Sequence, residues 1–178
     1  VNYGNNAPIP PVPSRENYAF TGWNQSTINI TEDSEIFAKY DLEPAYIFDT
    51  DTGTITDYSG SLGSEIEIPS EIGGVPVLII GDGAFDNKQL TSVTIPDSVT
   101  KIGENAFKNN KLTNILIPDS VTNIGDFAFV LNELKNVTIP DNISRLSVGI
   151  FSNNKLENVY IPDSVTSIGD RAFQYNQL

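Results

Sequence analysis

The chain holds 178 residues, with 23 acidic side chains against 10 basic ones and a net charge of −13. So acidic a surface offers no face for phosphates, so nucleic acid is not expected as a partner, and an anionic membrane surface is disfavoured for the same reason. Cysteine and histidine are both missing, which removes disulfides, a thiol nucleophile, an imidazole base and any zinc site built from those ligands.

A hydrophobic content of 39% allows a packed core. No apolar run approaches the roughly 20 residues a bilayer-spanning helix needs, so direct membrane insertion is not expected. The acidity reads as the solubility device of a secreted or surface protein. The chain contains no methionine and opens at Val1 without a basic, apolar leader, as a processed chain or an excised piece would.

Residues 1–41 read as short strands separated by loops. Val1-Asn-Tyr-Gly4 is followed by Pro10, Pro11 and Pro13, then Tyr18-Ala-Phe-Thr-Gly-Trp23, Ile28 to Ile30, and Ile36-Phe-Ala-Lys-Tyr40. The closing segments alternate as half-buried strands do. Residues 42–60 follow as a linker and hairpin, in which Tyr46-Ile-Phe48 and Thr54-Ile-Thr-Asp-Tyr58 flank Asp49-Thr-Asp-Thr-Gly53. A stacked-repeat fold needs a cover over the open end of its core, and this hairpin stands where an N-terminal cap belongs.

Residues 61–178 carry a repeat. Ile-Pro recurs at Ile95-Pro96, Ile117-Pro118, Ile139-Pro140 and Ile161-Pro162, in steps of 22 residues. An earlier copy, Ile68-Pro69, precedes these by 27 because Gly73-Gly-Val-Pro-Val77 is inserted. Around each Ile-Pro travel Leu90, Leu112, Leu134 and Leu156, then Val93, Ile115, Val137 and Val159. Val99, Val121, Ile143 and Val165 follow, with Ile102, Ile124, Leu146 and Ile168 after them. Phe85, Phe107, Phe129, Phe151 and Phe173 close the units.

Leu-x-x-Val-x-Ile alternates as a short strand does. The proline ends ladder pairing, and Pro-Asp-Ser or Pro-Asp-Asn is read as a turn with Pro presetting φ and Asp bonding nearby backbone. Val-x-x-Ile-Gly is read as a second extended segment and Ala-Phe as one helical turn. No unit can bury its own apolar residues, so the units must stack into one continuous column. The fold class is mainly β with short helical turns: a solenoid of about five 22-residue units after a small N-terminal β module.

Two resemblances stand on these residues. Leu90-Thr-Ser-Val-Thr-Ile-Pro-Asp-Ser-Val-Thr-Lys-Ile-Gly-Glu-Asn-Ala-Phe107 and its following copies resemble the BspA-like class of leucine-rich repeats found in bacterial surface proteins. Where that class often carries a cysteine, this chain has Asn110, Asn132, Asn154 and Asn176. Tyr3-Gly4, Pro10, Pro13, Tyr18, Phe20, Gly22, Trp23, Ala38 and Tyr40 resemble the Listeria–Bacteroides repeat, or internalin B-repeat, a β-grasp-like module here lacking its opening strand. Trp23, Phe20 and Tyr40 are expected in its core.

The fourth solenoid unit departs furthest, with Ser147 for Gly and Ile150 for Ala. If that glycine supplies a positive φ, Ser147 is strained, and a local irregularity is expected there without loss of the repeat.

Candidate chemistry is sparse. Asp49-x-Asp51-x-Gly53 shares two positions with a calcium loop. Calcium takes about six to eight oxygens, however, and Gly53 falls where a further ligand belongs, so a hairpin turn is the favoured reading and calcium the alternative. Asp97, Asp119, Asp141 and Asp163 form a column about one strand spacing apart. Paired carboxylates would suit glycosidase chemistry. An active site breaks repeat symmetry, though, and every unit supplies this same Asp, so the column reads as scaffold. The Asn two residues before each Leu is expected to satisfy backbone groups between units. No cofactor, metal or catalytic residue is assigned, and the chain is read as a non-enzyme. The sequons at Asn24, Asn29, Asn136 and Asn142 carry no expectation in a bacterial protein.

Function is expected where the units differ. The outward strand positions are Glu65 and Glu67, Ser92 and Thr94, Asn114 and Leu116, Asn136 and Thr138, Asn158 and Tyr160. Leu116 and Tyr160 are apolar or aromatic where solvent is expected, as interface anchors are. The binding face is therefore assigned to Asn114, Leu116, Asn136, Thr138, Asn158 and Tyr160. The BspA-like resemblance implies an extracellular or cell-surface protein that adheres to a protein partner, with host and extracellular-matrix proteins among the candidates. A spacer stalk or a glycan-binding module is the alternative. The solenoid's second end lacks a recognisable cap, which leaves oligomer contacts open there.

Overall fold

The computed structural model describes residues 19–23, 38–41, 46–59 and 64–178. The chain divides into two compact units, Val1–Ala45 and Tyr46–Leu178. In the first, β1 (Ala19–Trp23) pairs antiparallel with β2 (Ala38–Asp41), with a register shift between Phe20 and Gly22. Tyr3, Gly4, Pro10, Pro13 and Tyr18, on which the Listeria–Bacteroides resemblance also stands, lie outside the described residues, as does the expected packing of Phe20, Trp23 and Tyr40.

The second unit opens with the hairpin of β3 (Tyr46–Asp49) and β4 (Thr54–Tyr58). Its turn is closed by the Asp49 carboxylate, which accepts from the Asp51 N–H at 2.9 Å and the Thr52 hydroxyl at 2.8 Å. Gly53 takes φ +66° there, a conformation that side chains with a Cβ resist. Short strands follow: β5 (Glu65–Glu67), β6 (Glu71–Ile72), β7 (Val75–Pro76), β8 (Ile79–Ile80), β9 (Ser92–Thr94), β10 (Lys101–Ile102), β11 (Asn123–Ile124), β12 (Asn136–Thr138), β13 (Arg145–Leu146), β14 (Asn158–Tyr160) and β15 (Ser167–Ile168). The inserted Gly73–Val77 segment makes the β6–β7 hairpin. Parallel pairs β5–β9 and β12–β14 lie on one side of the solenoid. The other ladder runs β11-β10-β8-β4-β3, so the hairpin caps the solenoid by extending this sheet.

The inward residues form columns. Val77, Val99, Val121 and Ile143 are buried, as are Ile80, Ile102, Ile124 and Leu146. Phe85, Phe107, Phe129 and Phe151 are fully buried and stack on one another at 5.1–5.4 Å between ring centroids, within 5–11° of parallel. Phe173 continues the stack at 6.0 Å. Tyr58 of the cap packs on Phe85 at 5.4 Å and Tyr46 on Tyr58 at 5.6 Å, so the cap supplies the first rings of the same column.

The Ala–Phe segments are turns, and no helix is present among the described residues. One residue in each turn lies in the left-handed region: Gly83, Asn105, Phe127, Gly149 and Arg171, at φ between +54° and +63°. A right-handed helix cannot pass through such a residue, so each i→i+3 bond, such as Lys108 N–H to Asn105 C=O, closes a single turn and stops.

The structure corrects the role expected of the glycine before this turn. Gly81, Gly103, Gly125 and Gly169 are not at positive φ; they permit close approach between coils. A Cβ on Gly125 would stand 2.5 Å from the Glu104 nitrogen and 2.6 Å from the Gly103 carbonyl carbon. That proximity lets Gly103 N–H reach Ile80 C=O at 2.7 Å and Gly125 N–H reach Ile102 C=O at 2.8 Å. Ser147 carries a Cβ, and here the ladder breaks: β13 pairs with β15 and not with β11. The Ser147 hydroxyl donates to the Ile124 carbonyl in place of the missing backbone bond. The repeat itself persists, with Leu146, Ile150 and Phe151 fully buried.

Two predictions follow from this packing. Gly125→Ala should destabilise the solenoid by about 1–3 kcal/mol through overpacking. Ser147→Ala, which only orphans the Ile124 carbonyl, should cost about 1 kcal/mol; urea denaturation ranks the two. The cap should also loosen in alkali. Burial raises the Tyr46 phenol from 10.0 to about 12, so the protonated form is favoured in the folded state. Its contribution is complete below pH 10 and is lost as the pH rises towards 12. Tyr46→Phe should flatten that limb of the stability–pH curve.

Candidate interaction face

The coils are held in register by buried asparagine amides. Asn132 Nδ2 donates to Phe107 C=O at 2.9 Å and Phe129 C=O at 3.2 Å, while its Oδ1 accepts from Leu112 N–H at 3.1 Å. Asn110, Asn154 and Asn176 repeat the arrangement with the same spacing. Each of the carbonyls of Phe107, Phe129 and Phe151 thus accepts from the Asn of its own coil and the Asn of the next. In the first unit Lys88 replaces the Asn and pairs with Asp57 of the cap at 3.0 Å, which holds the Asp57 carboxyl below its usual range. The structural role expected of the Asn column is therefore what these side chains perform.

The Pro-Asp turns are built differently from the expectation. Val99 N–H bonds Pro96 C=O at 3.1 Å, and Val121, Ile143 and Val165 repeat this with Pro118, Pro140 and Pro162. Proline therefore opens the turn and offers its carbonyl; it does not occupy the position where its ring would set the turn's φ. The carboxylates of Asp97, Asp119, Asp141 and Asp163 are exposed and take no hydrogen bond among the described residues. The next residue ties the coils: Ser120 and Ser164 hydroxyls donate to Val99 and Ile143 carbonyls, and Asn142 Nδ2 donates to the Asp119 carbonyl. Among the described residues no group of three or more acidic side chains could hold a metal ion. Both oxygens of Asp49 are engaged in closing the hairpin turn.

The six assigned face residues are all exposed. β12 and β14 bring Asn136 opposite Asn158 and Thr138 opposite Tyr160. Asn114 and Leu116 lie outside any ladder strand, but their coil is tied to the next by Glu133 N–H to Leu112 C=O and Lys135 N–H to Thr113 C=O. Leu116 is 79% exposed and Tyr160 63%, two coils apart in one column.

Sequence reasoning missed a second set. Asn87, Asn109, Leu131, Asn153 and Tyr175 share a column at φ +54° to +58°. Asn suits that region; Leu and Tyr do not. Leu131 and Tyr175 are nonetheless there, 45% and 70% exposed. Aligning the units on this Asn column would have flagged both departures. Nearby, Lys155 meets Glu133 at 2.6 Å, and the Glu133 carboxyl is held below its usual range by Lys155 first and by Lys111 at longer range.

The fold and site define a leucine-rich-repeat solenoid whose regular columns hold it together and whose outward strand positions vary. The family model for the BspA type leucine rich repeat region matches residues 57–178 in six copies, and the chain belongs to that family. The match takes in Asp57 and Tyr58, the last two residues of the second cap strand. Among solved structures, the chain is similar to a leucine-rich repeat protein from Eubacterium ventriosum, with 27% identity and TM-score 0.56 over 65% of this chain and 32% of that one. It is also similar to a leucine rich cell surface protein from Faecalibacterium prausnitzii, with 32% identity and TM-score 0.54 over 86% and 48%. A leucine-rich repeat protein from Bacteroides capillosus matches with 25% identity and TM-score 0.53 over 84% and 97%. The chain therefore spans about a third and about half of the first two. No curated protein matches it.

Asn132→Ala should lower stability by about 2–3 kcal/mol, because it strands the Leu112 N–H in the interior. Asn132→Asp should cost more at neutral pH, where a carboxylate faces two carbonyls, and should recover part of the loss in acid. Urea denaturation at pH 7 and pH 4 tests both.

Proposed function

We propose that this solenoid is a non-catalytic protein-interaction module of a bacterial cell-surface or secreted protein, and that it mediates adhesion through its strand face. The observation that carries the reading is the contrast between inward and outward strand positions. The inward ones repeat in every unit, while the outward ones vary and include the exposed Leu116 and Tyr160. Exposed apolar anchors surrounded by Asn and Thr side chains supply desolvation energy together with hydrogen-bonding capacity, the combination that protein interfaces use. Asn114, Asn136, Thr138 and Asn158 surround the two anchors on this face. The similarity to a protein described as a leucine rich cell surface protein supports the location.

The test is a binding screen against immobilised host-cell and extracellular-matrix proteins, read by biolayer interferometry. Leu116→Ala combined with Tyr160→Ala should weaken a captured interaction roughly tenfold or more. Because both residues are exposed, the melting temperature should stay where it is. Unchanged affinity in the double variant discards this face. Tolerance of Glu or Lys at every outward strand position would favour a spacer with no ligand.

A further inference from the structure

Each coil reaches its strand through a connector that follows the stacked Phe: residues 86–91, 108–113, 130–135 and 152–157. Five of the eight cations in residues 46–178 lie in these four connectors, against three acids. The rest of that segment carries fourteen acids against three cations. The Asp97–Asp163 column and the acids Asp82, Glu104, Asp126 and Asp170 occupy the other two turns of the coil. The solenoid is therefore electrostatically divided around its cross-section, with its positive charge gathered on the connector edge.

That edge also carries the strained apolar residue. Leu131 sits at φ +58° and 45% exposed, in a column where three other coils hold Asn. A leucine is disfavoured in the left-handed region, and nearly half of this side chain lies in solvent. Backbone strain of this kind collects at functional sites and ligand clamps. The preceding connector supplies Lys108 and Lys111, and the connector of Leu131 itself supplies Lys135. Of the acids in these connectors, Glu133 is engaged by Lys155 at 2.6 Å, and Glu157 stands one coil on from Lys135, its N–H bonded to the Lys135 carbonyl at 3.0 Å. None of the three lysines forms a close salt bridge among the described residues, and Lys111 acts on Glu133 only at longer range.

We propose that the connector edge centred on Leu131, Lys111 and Lys135 extends the strand face into a site for an acidic polypeptide segment carrying apolar side chains. The inference rests on the strand-face reading for its location, since Leu131 stands five residues before Asn136 and Lys111 five before Leu116. It adds the chemistry of the partner. Lysines as point charges pair with carboxylates, and Leu131 with Leu116 takes up apolar side chains between them. A polypeptide is favoured over an anionic polysaccharide because the anchors are apolar and the cations are few.

The probe is a fluorescein-labelled peptide of about 12 residues alternating Glu and Leu, followed by anisotropy with the full chain. Its counterparts carry Lys for Glu, or Ser for Leu. Expected is binding of the Glu–Leu peptide alone, weakened when NaCl rises from about 0.05 to 0.3 M. The variants K111E/K135E and Leu131→Asn should each lower affinity roughly tenfold. Leu131→Asn should at the same time raise the melting temperature by about 2–4 °C, because it installs the residue the column otherwise uses. This joint outcome separates a used surface from a merely structural one.

Any of the following results overturns the proposal. One is equal binding of the Lys–Leu peptide, or none of the Glu–Leu peptide. Another is unchanged affinity in Leu131→Asn. The third is heparin binding that K111E/K135E abolishes and Leu131→Asn leaves intact, which would assign the edge to an anionic glycan. Loss of peptide binding in Leu116→Ala/Tyr160→Ala but not in the connector variants would sink this extension and leave the strand face standing. The reverse pattern would keep the connector site and remove the strand face.

Discussion

The bridge made by a buried asparagine between two successive phenylalanine carbonyls and a leucine N–H sets the geometry of this molecule. It fixes the rise from coil to coil, because one amide must reach backbone groups of two coils at about 3 Å each. Every other column then has to accept that rise. Phenylalanine rings can: at 5.1–5.4 Å between centroids they lie nearly flat on one another, a spacing set by the coil more than by ring preference. The second ladder can accept it only if the residue after Ile102 or Ile124 has no Cβ, which is why glycine recurs there. The buried polar groups and the apolar column are thus two aspects of one constraint. The amide pays for its own burial by making its full set of bonds, and the rings exclude the water that would compete for them.

Much of this is legible in the amino-acid sequence alone. The 22-residue period gave the solenoid, the Val, Ile and Phe columns gave its core, and the position of the Asn two residues before each Leu gave its role. The hairpin Tyr46–Tyr58 could be placed as a cap because a repeat core needs one. What the pattern could not convey was the path of the backbone within a unit. Ala-Phe reads as a helical fragment by composition, yet a left-handed residue one or two positions earlier stops it, and Asn105, Phe127 and Arg171 do not advertise that conformation as a glycine would. The glycine that does stand out, at 103 and 125, is there for proximity and not for φ, a distinction that depends on the neighbouring coil. Pro-Asp-Ser signalled a turn correctly while misplacing the residues within it.

The candidate site was legible on the strand face alone. Leu116 and Tyr160 stand out because strand alternation says where they point. Leu131 and Tyr175 follow no alternation, and their oddity is conformational: each is a bulky residue where the backbone favours Asn. A sequence column shows such a substitution, but only the torsion angle shows why it matters.

Several departures from the repeat, though not Tyr160 and Tyr175, fall in one region. The third unit holds Leu116, whose segment forms no ladder strand, and Phe127, bulky and at φ +58°. Leu131 leads out of it, and the second ladder breaks where it meets Ser147. Gly149 answers Phe127 directly, since a Cβ there would run into the Phe127 ring. Two of the ladders that join coils are therefore interrupted around the same unit. The fold holds because its other two connections cross the region unchanged: the Phe107–Phe129–Phe151 stack and the Asn132 and Asn154 bridges, backed by the turn bonds from Phe127 N–H to Val148 C=O and Phe129 N–H to Ile150 C=O. Redundancy among the columns lets one unit depart from the consensus on its surface without losing its place in the stack. A repeat with a single cohesive ladder would have no such latitude, and its outward positions would have to stay as uniform as its core.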